Sequence, residues 1–349
     1  MAELVERLDS RAPVRGIRNL WIRQPGGAIE KNPTRDFLAD LDSLPAPDRE
    51  MWRSWVLARK LSQQVVLPSR GCPYSCSYCS NHALRKLAGG KYVRLRSPDK
   101  IVEEIRALKC LYPETTNIYL QSETIAIKVD WLDELANQIN AFNEELEAKI
   151  SFAGNFRVAR QFLNDRVFGA LARANVRTIE IGLESGSERL RREVLRRDYS
   201  NEEFFEAVAL ARRHGMAVNT YNMIGLPGET PADHQETIEV NRRICPGLAY
   251  GTIFFPYPGT DLFETCKAQN LLPEGGDITA ERAQAMLDLP TFPKAEVQRA
   301  REWFDYRVYR GHRPWHYRLR RVLGKKAGAH AWSHLLIMRL LLVRRMWRR

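Results

Sequence analysis

Gln64-Val65-Val66-Leu67-Pro68-Ser69-Arg70-Gly71-Cys72-Pro73-Tyr74-Ser75-Cys76-Ser77-Tyr78-Cys79-Ser80-Asn81 opens as a short apolar run and continues into a loop with three cysteines in eight residues. The run reads as a strand, and the spacing of the thiols is C-x3-C-x2-C. Thiolates are soft ligands suited to iron–sulfur clusters or zinc. Three of them on one loop can hold three corners of a four-iron cubane and leave the fourth iron without a protein ligand. A zinc knot completed by Cys110 or His82 is the competing reading. Structural zinc sites usually pair one C-x2-C with another, whereas Cys110, Cys245 and Cys266 stand singly and read as buried thiols.

Outward from this loop, short apolar runs alternate with longer periodic ones. Gln64–Leu67, Asn117–Leu120, Lys149–Phe152, Thr178–Ile181, Ala217–Met223 and Gly251–Phe255 read as strands. Between them, Ser97-Pro98 opens a helix with Ile101, Ile105 and Leu108 on one face. Ser200 and Glu203 form a capping box whose helix ends at Gly215, and Thr230-Pro231 starts another running to about Arg243. Six strands separated by helices predict parallel pairing through right-handed crossovers. The expected fold is α/β: a partial (β/α)6 TIM-like barrel with a short N-terminal linker and a basic helical C-terminal extension. Chemistry in such barrels lies at the C-terminal strand ends, where the cysteine loop falls.

The 349 residues, 44% hydrophobic and 28% charged, support a substantial core. Met1–Ser10 carries Glu3, Glu6, Arg7 and Asp9, which does not read as a secretory signal and predicts a cytoplasmic protein. Six cysteines in that setting are not a disulfide framework. Of the net +12, eleven charges lie from Gly311 to Arg349, where nine Arg and two Lys meet no acid. The segment Trp332–Trp347 sets leucines around Arg339. It is too short and interrupted to span a membrane, and it reads as a helix packed on protein or lying at an anionic membrane surface, ahead of nucleic acid.

The cysteine loop, with three later segments in order, resembles the radical S-adenosylmethionine superfamily. These segments are Ile181-Gly182-Leu183-Glu184-Ser185-Gly186-Ser187, Met223-Ile224-Gly225-Leu226-Pro227-Gly228-Glu229-Thr230 and Pro256-Tyr257-Pro258-Gly259-Thr260. The resemblance covers roughly residues 60 to 290. It implies a [4Fe-4S] cluster on Cys72, Cys76 and Cys79 that binds S-adenosylmethionine, cleaves it reductively and releases a 5′-deoxyadenosyl radical. By the same resemblance Tyr78 matches the aromatic near the adenine, with plain packing as its alternative. Ser122 and Glu123, in Gln121-Ser122-Glu123, stand where the family often has Gly-Gly-Glu and receives the methionyl amino group. Asn155 and Arg157 would meet ribose and carboxylate, a surface ion pair being the other reading of Arg157. Glu184 and Ser185 would meet ribose or the amino group, and the Gly225 turn would let backbone approach the adenine. Tyr221 replaces a usual glycine.

The first fifty residues resemble the end of a cobalamin-binding domain and its linker, through Glu3–Leu8, Ile17–Arg23, Asn32-Pro33 and Leu41–Pro45. This points to the cobalamin-associated group of the superfamily with that domain almost entirely missing, as a truncated gene would leave it. The expected division is 1–58 linker, 59–290 radical core and 291–349 extension. The expected activity is radical chemistry on a small-molecule, lipid or natural-product substrate, with C-methylation if a cobalamin domain is attached. A reduced flavodoxin or ferredoxin is the expected electron donor. The alternatives are a methylthiotransferase-like enzyme acting on tRNA and a zinc-stabilised binding protein with a basic tail.

Overall fold

The computed structural model describes residues 2–59, 61–273 and 281–327. Six strands form one parallel sheet in chain order: β1 (Gln63–Val66), β2 (Asn117–Leu120), β3 (Ser151–Phe156), β4 (Val176–Glu184), β5 (Ala217–Ile224) and β6 (Ala249–Ile253). β1 and β6 are its two edges, so the sheet is open, and it is curled as a half-barrel. The helices α1 (Pro98–Leu111), α2 (Val129–Glu144), α3 (Asp165–Arg173), α4 (Asn201–Arg213) and α5 (Pro231–Ile244) are the crossovers. After β6 come α6 (Asp261–Ala268), α7 (Lys294–Val308) and α8 (Trp315–Ala327).

Period-two alternation along each strand separates the two faces of the sheet. Val66, Ile118, Leu120, Phe152, Ile179, Ile181 and Val218 point outward into the core shared with the helices. Their neighbours Gln63, Asn117, Tyr119, Asn155, Glu180, Asn219 and Tyr221 line the concave face, which is therefore polar. A second core forms where α7 lies against β6. There Phe304 fills the space over Gly251, at which a Cβ would stand 2.5 Å from its ring.

The expected capping box at Ser200 and the expected helix starts at Pro98 and Thr230-Pro231 are present, and Thr230 also forms a capping box with Asp233. Three strands are displaced from their expected positions, β1 by one residue and β3 and β6 by two at their starts. Asn143 bonds both backbone groups of Ile150, holding Lys149-Ile150 in the preceding turn, so β3 starts at Ser151 and runs on to Phe156. β6 pairs from Ala249 to Ile253 because its partner ladder on β5 ends at Ile224, before the Gly225 turn. Cys110 is exposed on α1 and Cys245 is half-buried; of the three lone thiols, the expectation of burial holds for Cys266.

The segment ahead of β1 holds a short helix, Ala2–Asp9, and a two-stranded hairpin, Trp21–Arg23 with Ile29–Lys31. It is pinned to the barrel rim. Arg49 pairs with buried Glu104, which also accepts from Arg96, and Asp42 accepts from the Ser97 N–H at 2.9 Å. Among the described residues no helix is long and apolar enough to cross a membrane. Trp332–Trp347 lies outside the described residues.

Candidate active site

The cysteine loop begins with a tight approach. Ser69-Arg70 pairs antiparallel with Arg94-Leu95, and Gly71 follows at φ +86°. A Cβ there would lie 2.3 Å from the Tyr92 carbonyl oxygen, so only glycine fits. Further along, Ser77 donates from its N–H to Leu195 O and from its hydroxyl to Val194 O, while its own carbonyl accepts from Leu262 N at 2.9 Å. The loop that leaves β1 is thus fastened to the turn after β4 and to the start of α6. It spans the C-terminal mouth of the half-barrel.

Cys76 is buried, and Cys72 and Cys79 are half-buried; all three are free thiols. Burial pushes Cys72 up to about 11 against the Tyr74 N–H and Arg157, and burial likewise raises Cys79. Metal loading therefore has to displace protons from this loop. Arg157, from the end of β3, donates to Cys76 Sγ at 2.9 Å, and its guanidinium lies 3.8 Å from the Tyr74 ring centroid. Three soft donors beside a fixed cation fit an anionic iron–sulfur cluster. Among the described residues no three His, Cys, Asp or Glu converge tightly enough to hold a single ion. A cubane makes no such demand, since each thiolate takes a different iron.

Behind the loop sits a buried triad. The Tyr78 hydroxyl donates to Glu184 Oε1 at 3.0 Å; Arg197 Nη1 donates to both, at 3.0 Å and 3.1 Å, and Nη2 donates to Gly182 O at 2.8 Å. Burial would lower Arg197, but Tyr78, Tyr199 and Glu184 outweigh it and hold the guanidinium charged; burial raises Tyr78. Glu184 adopts φ +63° where the β4–β5 register shifts. Its Oε1 lies where a Gly182 Cβ would stand, at 2.2 Å. Arg197 was not anticipated from the sequence. Its one local signal is the run Arg196-Arg197-Asp198-Tyr199 shortly after the glutamate strand end.

The other expected residues divide. Tyr78, Cys79 and Glu184 line one cavity of about 390 Å³, together with Met223, Phe255 and Tyr257. Glu123 is exposed, and its charge reaches Cys79 and Tyr92. Ser122 is buried with its hydroxyl unbonded, and its carbonyl accepts from Asn155 Nδ2 at 2.7 Å. Asn155 turns toward the concave face, where its Oδ1 accepts from Tyr119.

Ser185 and Gly225 are both engaged within the fold. The Ser185 hydroxyl is fully buried, accepting from the Ser187 N–H beside Thr237, and it braces the turn. Gly225 makes room for α7: its N–H donates to Glu229, and a Cβ would stand 2.8 Å from Val297.

The family model described as the radical SAM superfamily matches residues 66–240. An uncharacterized methyltransferase of Pyrococcus horikoshii is 29% identical over 279 residues, which are 77% of this chain and 56% of that protein. The anaerobic magnesium-protoporphyrin IX monomethyl ester cyclase of Rubrivivax gelatinosus is 24% identical over 69% of this chain and 42% of its own length. The chain thus spans about half the length of these curated relatives. Among solved structures, the cobalamin-dependent S-adenosylmethionine radical enzyme OxsB superposes with a TM-score of 0.67 at 12% identity, over 96% of this chain and 54% of that one, which shows a shared fold. The matched span starts on β1, takes in the whole thiol loop and covers half of the chain, so this chain belongs to the radical SAM superfamily.

Proposed function

We propose that this protein is a radical S-adenosylmethionine enzyme acting on a small molecule. The observation that carries the reading is the clamped loop, which presents three free thiols at the barrel mouth with Arg157 bonded to one of them. When bound, a four-iron cluster with one open iron supplies the electron that cleaves S-adenosylmethionine to methionine and a 5′-deoxyadenosyl radical. Cys72, Cys76 and Cys79 would hold three irons, and Arg157 would offset the anionic charge at Cys76. Glu184 Oε1 is committed to Tyr78 and Arg197, and Oε2 makes none of those bonds, which leaves it for the ammonium or ribose of the cofactor. Exposed Glu123 is a second candidate for that ammonium. Phe254, Phe255 and Tyr257 form an apolar wall that would keep water from a reactive radical.

Within this reading, methyl transfer is the proposed net reaction. It is supported by the relative named a methyltransferase and by the fold shared with a cobalamin-dependent enzyme. Cobalamin enters through those likenesses, and no residue of the half-barrel is assigned to it. A reduced flavodoxin or ferredoxin is the proposed electron donor, and residues 1–58, 59–290 and 291–349 are the proposed linker, core and extension.

The test is anaerobic purification, reconstitution and reduction with S-adenosylmethionine present. Wild type is expected to carry about four iron and four sulfide and to form 5′-deoxyadenosine, while Cys76→Ala loses both. Zinc in place of iron, or equal 5′-deoxyadenosine from the two proteins, would overturn the proposal.

A further inference from the structure

The concave face of the half-barrel encloses about 620 Å³, and the thiol loop does not account for its lining. Glu180, from the middle of β4, is 7% exposed there. Its Oε1 accepts from Asn219 Nδ2 at 2.9 Å, and Asn219 is itself fixed by accepting from the Leu248 N–H at 2.8 Å. Among the described residues Glu180 Oε2 makes no hydrogen bond of ordinary geometry; burial first, and then this nearby carboxylate, raise the Tyr221 hydroxyl. No Lys, Arg or His among the described residues lines this cavity, and Glu180 is the one acidic side chain among them.

A buried carboxylate without a cation is costly, and an anion or neutral group brought beside it leaves the cost in place. The surroundings are equally selective. Tyr221 and Tyr250 stack at 5.0 Å between centroids and 20° between planes. Tyr119 stands close by, its hydroxyl donating to Asn155 at 2.8 Å. Aromatic faces are electron-rich and attract cations. Tyr221 and Tyr250 also line the cavity that holds Tyr78, Cys79 and Glu184, so one molecule can reach from Glu180 to the barrel mouth.

We propose that the concave face receives an organic cation, with Glu180 Oε2 pairing an ammonium group of the substrate beside the stacked Tyr221–Tyr250 pair. This rests on the radical-enzyme reading only in placing the far end of that substrate near the thiol loop. A negatively charged substrate would have to enter past Glu180 with no basic residue in the described lining to receive it.

Isothermal titration calorimetry on the anaerobically purified, cluster-loaded full chain tests the idea with 2-phenylethylammonium, 2-phenylethanol and phenylacetate. The cation is expected to bind at least about tenfold tighter than the alcohol, as a charge-assisted hydrogen bond provides, with phenylacetate weakest. Glu180→Gln should erase the cation's advantage, while Tyr221→Phe should keep most of it. Equal binding of cation and alcohol by wild type would overturn the proposal whether or not the variant folds, and so would an advantage that survives in a folded Glu180→Gln. Formation of 5′-deoxyadenosine is measured alongside. Cleavage without cation preference sinks this inference alone, and cation preference without cleavage sinks the radical reading alone.

Discussion

Arg197 makes the Tyr78–Glu184 pair tolerable in a buried place. Its side chain is 7% exposed and that of Glu184 12%, and the guanidinium spans the carboxylate, the phenol and the Gly182 carbonyl. Deleting one partner of a buried ion pair strands the other charge, at a cost of about 3–5 kcal/mol. Removing the Tyr78 hydroxyl leaves the ion pair intact and loses two hydrogen bonds, each worth about 1 kcal/mol. Arg197→Met is therefore expected to destabilise the protein about twofold more than Tyr78→Phe, as read by urea denaturation of the anaerobic protein. Equal losses would mean that the triad is not held together as an ion pair.

At the scale of elements, the Gly225 turn joins β5 to α5 and also seats α7. Its φ of +83° strains any residue with a Cβ, and that Cβ would meet Val297 at 2.8 Å. Gly225→Ala is expected to cost about 1–3 kcal/mol for backbone strain and a comparable amount for overpacking. Adding Val297→Ala should recover the packing share and none of the strain, giving a favourable coupling in a double-mutant cycle. Simple additivity would show that the turn yields without touching α7. This element also shows where sequence reading stops. Local signals were legible: the thiol spacing, the capping box at Ser200, the helix start at Thr230-Pro231, and the order of six strands. What a glycine makes room for is not local. Gly225 read as a backbone approach to a ligand, yet its neighbour comes from a helix about seventy residues on. Arg197 and Arg157 were obscure in their roles for the same reason, because their partners lie 13 to 119 residues away in the chain.

Across the whole molecule, two buried titratable groups on α5 and its approach set opposing dependences on pH. Burial raises Glu229 from 4.5 to about 8, although the Leu226 and Gly225 N–H groups both favour its anion. Burial between Phe292 and Phe304 lowers His234 from 6.5 to about 4, and neither ring nitrogen has a hydrogen-bond partner. Stability rises with pH wherever the unfolded chain binds more protons, and falls where the folded chain does. Between pH 4.5 and 6.5 the unfolded state holds the extra proton on His234 and the folded state holds it on Glu229, so the two slopes cancel. From 6.5 to 8 only the folded Glu229 keeps a proton, and stability from this pair falls by about 1.4 kcal/mol per unit. Above 8 this contribution is flat; below 4.5 the histidine term alone lowers stability toward pH 4. Glu229→Gln should remove the fall between 6.5 and 8 and expose a rise from 4.5 to 6.5 that wild type masks. Urea denaturation midpoints across this range, at constant ionic strength, read both changes. A variant whose profile parallels wild type would show that Glu229 is ionised in the fold, held by its two backbone donors.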